Sequence, residues 1–195
     1  MKQGLTDIIV VLDRSGSMAG IRKDMEGGFD AFIAEQRKEP GDARVTLTQF
    51  DTTYEIVYDG KPLTDVPPLS LEPRGMTALY DAVGRTIAAT GARFAALPED
   101  ERPERVLFVI ITDGAENSSR EFEGARVAAM VKEQTDKYSW QFVYIGANQD
   151  AVANAAAMNI HVASNFAADS EGSRKALSDL NIGTRSYRGG GGYQH

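Results

Sequence analysis

The predicted fold is decided by one stretch near the N-terminus, Asp7-Ile8-Ile9-Val10-Val11-Leu12-Asp13-Arg14-Ser15-Gly16-Ser17-Met18 (DIIVVLDRSGSM). Its first part is an apolar run of one strand's length, which is typical of parallel sheets that helices cover on both faces. The run ends at Asp13, and Ser15 and Ser17 follow at alternate positions. Three oxygen side chains in this pattern are consistent with a turn, a helix cap, a nucleophile or a ligand set for a hard cation. The stretch therefore predicts a buried strand with polar functional residues at its carboxyl end.

Strand-like and helix-like segments alternate along the rest of the chain. Apolar or alternating runs predict strands at residues 7–13, 44–51, 53–58, 105–112, 141–145 and 160–163. Helical spacing of apolar residues predicts helices from about residue 21 to before Pro40, at 78–96, around 127–131, at 152–158 and at 173–180. The third strand follows the second after a tight connection, so we expect the two to be antiparallel. This order predicts an α/β fold with a doubly wound, mostly parallel sheet, one antiparallel edge strand and helices on both faces.

Two consecutive glycines, Gly27 and Gly28, stand inside the first predicted helix. Each costs about 1 kcal/mol of helix stability relative to alanine, so their presence calls for a packing reason. We expect close packing of this helix against the sheet to be that reason.

The length of 195 residues and the hydrophobic share of 42% are typical of one globular domain with a complete core. We assign residues 1–183 to this domain and expect residues 184–195, which include Gly189 to Gly192, to form a flexible tail. The N-terminal residues do not have the form of a signal peptide, and no run approaches the roughly 18 apolar residues of a membrane span. We therefore expect a cytoplasmic protein that contacts no membrane.

The composition excludes several classes of function. A net charge of −7 argues against electrostatic binding to nucleic acid or to an anionic membrane surface. The chain has no cysteine, which excludes disulfides, thiolate zinc sites and a cysteine nucleophile. Its histidines are His161 and His195, which leaves a histidine metal site or a Ser-His-Asp triad few residues to use.

Polar side chains occur at three places where predicted strands end or helices begin. They are Asp13, Ser15 and Ser17 after the first strand, Thr77 before the second helix and Asp113 after the fourth strand. All five carry oxygen donors, which suit a hard divalent cation, Mg²⁺ first, with Mn²⁺ or Ca²⁺ as alternatives. Taken singly, Ser15, Ser17 and Thr77 are also consistent with helix caps, and Asp113 before Gly114 is most often a turn residue. Their joint occurrence favours a metal site at the carboxyl ends of the strands.

The charge of this set predicts what else the site would bind. Asp13 and Asp113 supply two carboxylates, which cannot saturate a cation that takes about six ligands. Neutral hydroxyls leave such a cation electrophilic, and water would complete its shell. A carboxylate from another molecule can replace one water, so the set predicts a site for an acidic group.

Three motifs occur in order along the chain: Asp13-x-Ser15-x-Ser17, Thr77 in Gly-Met-Thr and Asp113 in Thr-Asp-Gly. Together they resemble the metal-ion-dependent adhesion site of the von Willebrand factor type A (vWA) family. All five positions match, within a resemblance that spans roughly residues 6–166. It implies a Rossmann-like vWA fold in which both serines bind Mg²⁺ directly. It also implies that the threonine binds directly or through water, that the aspartates act through water, and that an Asp or Glu of a partner protein takes the sixth position. The absence of cysteine and of a signal peptide, together with the small size, favours a compact intracellular bacterial or phage member.

The sequence therefore predicts a Mg²⁺-dependent protein–protein interaction module and not an enzyme; the partner's identity and the oligomeric state are left open. The alternative is a metal-dependent hydrolase or phosphoryl-transfer enzyme on a similar scaffold. Against the alternative, the chain has no Gly-x-x-x-x-Gly-Lys phosphate loop, and neither motif serine lies in a Gly-x-Ser-x-Gly elbow.

Three more residues are candidates for supporting roles. Asp51 ends the second predicted strand and Asn117 closely follows Asp113, so either could contact the ligands of the ion, although both are also common turn residues. We interpret Arg14, inside the motif, as a rim residue that affects partner choice, with a phosphate ligand as the alternative.

Overall fold

The computed structural model describes residues 1–147 and 150–193. Its strands are β1 (Lys2–Asp13), β2 (Ala43–Phe50), β3 (Tyr54–Pro62), β4 (Pro103–Thr112), β5 (Gln141–Ala147) and β6 (Val162–Phe166). Its α-helices are α1 (Arg22–Gln36), α2 (Leu79–Ala96), α3 (Gly124–Tyr138), α4 (Ala151–Ala157) and α5 (Ser170–Arg188). A short 3-10 helix, Gly16–Ile21, precedes α1.

Across the described ranges the six strands form one sheet in the order β3-β2-β1-β4-β5-β6. Neighbouring strands are parallel, except that β3 is antiparallel to β2. This confirms the predicted α/β fold with one antiparallel edge strand. The chain leaves β1 for β2 and β3 on one side and then crosses to β4 on the other, so the strand order reverses between β1 and β4. Leu12 pairs with Ile111, which brings the carboxyl ends of these two central strands to the same edge.

The side chains of β1 alternate between two cores on opposite faces of the sheet. Ile8, Val10 and Leu12 pack in a cluster that includes residues of α1 and α5. Ile9 and Val11 pack in a second cluster with residues of α2, α3 and α4. All five are fully buried. Both faces of the strand are covered, which is why its sequence shows no polar alternation.

β3 forms one edge of the sheet and pairs irregularly. Its register with β2 shifts on both sides of Leu47. Ile56 and Val57 on β3 expose 43% and 42% of their surface. Pro62, which has no amide hydrogen, ends the strand opposite Arg44. The exposed edge strand is therefore bulged, and its last residue offers no backbone N–H.

Gly28 has the packing role expected of it, but its partner is a helix and not the sheet. A Cβ atom at Gly28 would overlap Leu177 Cδ1 of α5, whereas a Cβ atom at Gly27 would meet nothing within 4 Å. The expectation of packing against the sheet is therefore wrong, and Gly28 lets α1 and α5 approach each other closely.

The C-terminal segment differs from the predicted tail. α5 continues to Arg188, so residues 184–188 are helical. The Arg188 guanidinium is nearly buried and donates to the carbonyl oxygens of Gln36 and Gly41 at 2.6 and 2.9 Å. Tyr193 is 9% exposed and packs against Gly183 of α5. The prediction of a tail is therefore wrong for residues 184–188 and for Tyr193, and residues 194–195 lie outside the described residues.

No helix of the described residues combines the length and the apolar composition needed to cross a bilayer. The longest, α5, has 19 residues and carries charged side chains such as Glu171, Arg174 and Lys175. A cytoplasmic location stays a prediction.

A buried ion pair joins β1 to α2 at the end of the sheet away from the motif. Asp7 is fully buried and accepts hydrogen bonds from Nη1 and Nη2 of Arg93 at 2.9 and 3.0 Å. Nε of Arg93 lies 2.8 Å from Asp59 Oδ1. Burial raises the pKa of Asp7, against the opposing effect of the Arg93 guanidinium. Arg93 is therefore the main group that favours the charged form of Asp7, with a smaller contribution from Arg44.

We expect Arg93→Ala to lower the free energy of unfolding by about 3 kcal/mol, because it leaves a buried carboxylate without its counter-ion. Urea denaturation followed by circular dichroism measures the change.

The control is Lys132→Ala, which removes a helical ion pair with Asp136 in which the two side chains are 64% and 54% exposed. Such a pair contributes at most about 0.5 kcal/mol. Equal destabilisation by the two variants would contradict the special role of Arg93.

Candidate metal site

Asp13 ends β1 and joins it to β4. Its side chain is fully buried, and Oδ2 accepts a hydrogen bond from the Thr112 hydroxyl at 2.6 Å. Oδ1 accepts the backbone N–H of Ser15, also at 2.6 Å, which turns the chain after the strand. Burial raises the pKa of Asp13 to about 6, against the opposing effect of these hydrogen bonds. Asp13 thus fixes the position of Ser15 relative to both central strands.

The two motif serines and Asp113 form one hydrogen-bonded chain. The Ser15 and Ser17 hydroxyl oxygens are 3.1 Å apart, and Ser17 donates to Asp113 Oδ1 at 2.6 Å. Burial raises the pKa of Asp113. Ser15 is buried, whereas Ser17 is exposed, so the chain runs from the core to the surface.

A capping role does not explain these serines. α1 begins at Arg22, beyond the 3-10 helix, and Ile21 is its N-cap. Ser15 precedes the 3-10 helix but makes no side-chain capping hydrogen bond. The cap interpretation of Ser15 and Ser17 is therefore wrong.

Thr77 reaches the same edge from the segment before α2. It is 3% exposed. A Cβ atom at position 114 would lie 2.8 Å from Thr77 Oγ1, so Gly114 leaves room for this hydroxyl beside Asp113. The structure thus brings the five predicted residues together; their role as metal ligands stays a prediction.

Asn117 fixes the backbone of Thr77 by two hydrogen bonds. Asn117 Oδ1 accepts the Thr77 N–H at 2.9 Å, and the Asn117 N–H donates to the Thr77 carbonyl at 3.0 Å. Asn117 therefore contacts a predicted ligand residue, as proposed from the sequence. Asp51 does not: its carboxylate contacts Arg14, Arg74 and Thr53.

Two acids that sequence reasoning missed attach the loop after Asp113 to the start of α2. Glu116 accepts the N–H groups of Tyr80 and Ser119 at 2.9 and 2.7 Å. Asp81 accepts the N–H groups of Glu121 and Phe122 at 2.9 and 2.8 Å. The sequence signal was weak: Asp81 stands in the first turn of α2, where an acid usually serves its own helix, and Glu116 stands in a loop. Thr77 and Asp113 are consequently held in one connected unit.

Arg14 is neither a rim residue nor a free phosphate ligand. It is only 5% exposed, and its guanidinium lies 2.8 Å from Asp51 and 2.6 Å from Glu55. The interpretation drawn from its place in the motif is therefore wrong, because the side chain turns inward toward two carboxylates.

The donor set fits a hard cation that accepts hydroxyl ligands. In the described part of the chain, no group of three or more His, Asp or Glu side chains is placed to hold a metal. A site at this edge would therefore need its hydroxyls. Neighbouring ligands of an octahedral Mg²⁺ at 2.0–2.1 Å lie about 2.9 Å apart. The 3.1 Å between the Ser15 and Ser17 oxygens matches that spacing.

Solved structures with a similar fold include proximal thread matrix protein 1 from the mussel byssus, a von Willebrand factor type A protein from Catenulispora acidiphila and the ArnB paralog VWA2 from Sulfolobus acidocaldarius. Their TM-scores are 0.63, 0.61 and 0.58, at sequence identities of 15%, 16% and 16%. The chain has a vWA-like fold. The matches cover 93%, 93% and 92% of this chain but 46%, 43% and 44% of those chains, so it spans less than half of their length.

Comparisons of the sequence alone identify no relative of this chain. No protein-family model matches the chain, and no curated protein matches it. The similarity to the solved structures therefore concerns the fold alone.

We expect Asn117→Ala to weaken Mg²⁺ binding by about tenfold, because it frees the Thr77 backbone from its side-chain acceptor. Isothermal titration calorimetry measures the affinity. The matched variant Asn117→Asp keeps an acceptor oxygen for the Thr77 N–H and should keep most of the binding. If Asn117→Ala binds Mg²⁺ as tightly as the unmodified chain, the placement of Thr77 does not depend on Asn117.

Proposed function

We propose that this chain is a protein-interaction module that captures an acidic side chain of a partner protein through a Mg²⁺ ion. The observation that carries the proposal is the meeting of three hydroxyls and two carboxylates at one edge of the sheet, where parallel α/β folds bind their ligands. A vWA-like fold supports it further, since this domain is commonly used for protein interaction.

Each of the five residues has a distinct task in this proposal. Ser15, Ser17 and Thr77 would hold the ion through their hydroxyl oxygens. Asp13 orients Ser15 through its N–H, and Asp113 orients Ser17 through its hydroxyl. A bound Mg²⁺ would supply an electrophilic coordination position that a carboxylate can occupy.

The identity of the ion is supported by donor chemistry and by one neighbour. Oxygen donors without nitrogen or sulfur favour Mg²⁺, with Mn²⁺ and Ca²⁺ next. In one structure of the mussel byssus protein, the metal-ion-dependent adhesion site (MIDAS) motif is occupied by zinc. That structure matches this chain with a TM-score of 0.62 and 16% sequence identity. That neighbour supports the proposal of a divalent cation at this site. The choice of Mg²⁺ rests on the chemistry of the donor atoms.

We propose binding and not catalysis because the cationic residue inside the motif, Arg14, is not free. Arg14 is paired with Asp51 and Glu55, which leaves it unable to hold a phosphate. Phosphoryl-transfer enzymes commonly use a free Arg or Lys beside the metal to stabilise the transferring group. A cytoplasmic location and a bacterial or phage origin remain parts of the proposal.

The first test is Mg²⁺ binding. Ser15→Ala with Ser17→Ala should weaken binding by more than about tenfold in calorimetry, because two hydroxyl ligands are lost. Ser186→Ala, a surface serine on α5 that bonds the Gly192 carbonyl, is the control and should bind normally. Unchanged affinity in the double variant would reject the site.

The second test is recognition of an acid. Immobilised chain is offered a peptide library in which each peptide exists in a Glu and a Gln form, in Mg²⁺ and in chelator. The proposal expects capture of Glu peptides in Mg²⁺ alone. Equal capture of both forms would contradict it, and hydrolysis of a phosphoester that depends on Ser15 or Asp113 would favour the enzyme alternative.

A further inference from the structure

Arg14 lies between two predicted ligand residues, yet its guanidinium points away from them. Nε donates to Asp51 Oδ2 at 2.8 Å, Nη1 to Glu55 Oε2 at 2.6 Å and Nη2 to Thr53 Oγ1 at 3.3 Å. One planar fork thus contacts two residues of the turn between β2 and β3, Asp51 and Thr53, and one residue of β3, Glu55. A lysine ammonium at this position could not make the same set of contacts.

Asp51 is the centre of this network. Its Oδ1 accepts the N–H and the hydroxyl of Thr53 at 2.6 and 2.9 Å, and its Oδ2 accepts Nε of Arg74 at 3.1 Å as well as Arg14. Burial raises the pKa of Asp51, but these hydrogen bonds outweigh it and hold the value at about 2. The backbone carbonyl of Asp51 accepts the N–H of Ala78 at 3.0 Å. Asp51 therefore contacts both the motif loop and the segment that carries Thr77.

Backbone contacts complete the connection between these two segments. The N–H of Arg74 donates to the Arg14 carbonyl at 2.8 Å, and the N–H of Gly16 to the Gly75 carbonyl at 3.3 Å. Gly75 has φ +70°, and a Cβ atom there would lie 2.9 Å from Thr52 Oγ1. Glycine is thus required where the two segments touch.

We propose that Arg14 and Asp51 form a positioning pair that holds the loop of Ser15 and Ser17 in place against the segment of Thr77. Neither residue touches the ion; each acts by fixing where the three hydroxyls lie. The inference rests on the proposed function, because the placed hydroxyls are the proposed Mg²⁺ ligands.

The chemistry of the pair explains why it would control the site. Removing one member of the buried pair leaves the other charge with only a half-exposed partner, Arg74 for Asp51 and Glu55 for Arg14. The remaining buried charge is then poorly compensated, so the surrounding loop rearranges toward water. Mg²⁺ requires nearly ideal octahedral geometry, so a small displacement of a ligand oxygen weakens binding strongly.

The test compares Mn²⁺ binding by electron paramagnetic resonance in Arg14→Met, Asp51→Asn and the unmodified chain. Both variants should bind Mn²⁺ at least about tenfold more weakly, as for other residues that orient metal ligands. Arg14→Lys should recover little, because its ammonium keeps the charge but not the fork. Combining Arg14→Met with Asp51→Asn should cost no more than either change alone, since each removes the same pair.

Two controls separate positioning from general destabilisation. Arg93→Ala breaks the buried pair with Asp7 at the opposite end of the sheet and should leave Mn²⁺ affinity within twofold. Arg74→Met removes the second cation that contacts Asp51. Because the Arg74 side chain is 56% exposed, this change should weaken Mn²⁺ binding by less than about threefold. Mn²⁺ affinity within twofold of the unmodified chain in Arg14→Met would overturn the proposal, as would an equal loss in Arg93→Ala.

A second measurement separates this inference from the proposed function. Amide hydrogen exchange without metal should be accelerated at least about tenfold at Gly16 and Ala78 in Arg14→Met, and unchanged in β1 near Asp7. If the unmodified chain binds no Mn²⁺, the proposed function fails, and the exchange result still decides whether the pair positions the two segments. Unchanged exchange at Gly16 and Ala78 would reject the positioning pair.

Discussion

The hydrogen bond from the Thr112 hydroxyl to the Asp13 carboxylate, 2.6 Å long, is the interaction on which the candidate site depends. It joins the carboxyl ends of the two central strands, and the second oxygen of Asp13 directs the chain into the motif loop. Two apolar cores hold those strands in register from both faces of the sheet. A buried carboxylate with partners on two elements is costly to move, so the strand ends and the loop keep a fixed relation.

The site surrounding this bond is held by two different kinds of chemistry. On one side, Glu116 and Asp81 accept backbone N–H groups and attach the loop after Asp113 to α2. On the other side, the guanidinium of Arg14 meets the carboxylate of Asp51 out of water. Backbone hydrogen bonds tolerate changes of side chain, whereas a buried ion pair depends on both of its members. The motif loop is therefore the more sensitive half of the site.

The sequence was sufficient to predict the fold and the five residues that meet at the sheet edge. Runs such as that of β1 have one physical explanation, burial on both faces, and oxygen donors at strand ends follow the topology. It was not sufficient for Arg14, because a motif does not state where the side chain between its ligands points. The partners of Gly28 and Glu116 were also hidden, since each contact joins elements far apart in sequence. The length of α5 was missed because its last residue, Arg188, contacts carbonyls of Gln36 and Gly41 that are far away in sequence.

The irregular pairing of β3 has a consequence for how this chain meets other molecules. A flat, regular edge strand invites another chain to extend the sheet, which leads to aggregation. Here the pairing of β3 is bulged beside Leu47 and the strand ends in Pro62, which has no N–H, although Ile56 and Val57 are exposed. Extension of the sheet by a neighbouring copy is thereby disfavoured. The exposed apolar residues of β3 are therefore less able to cause aggregation through strand pairing.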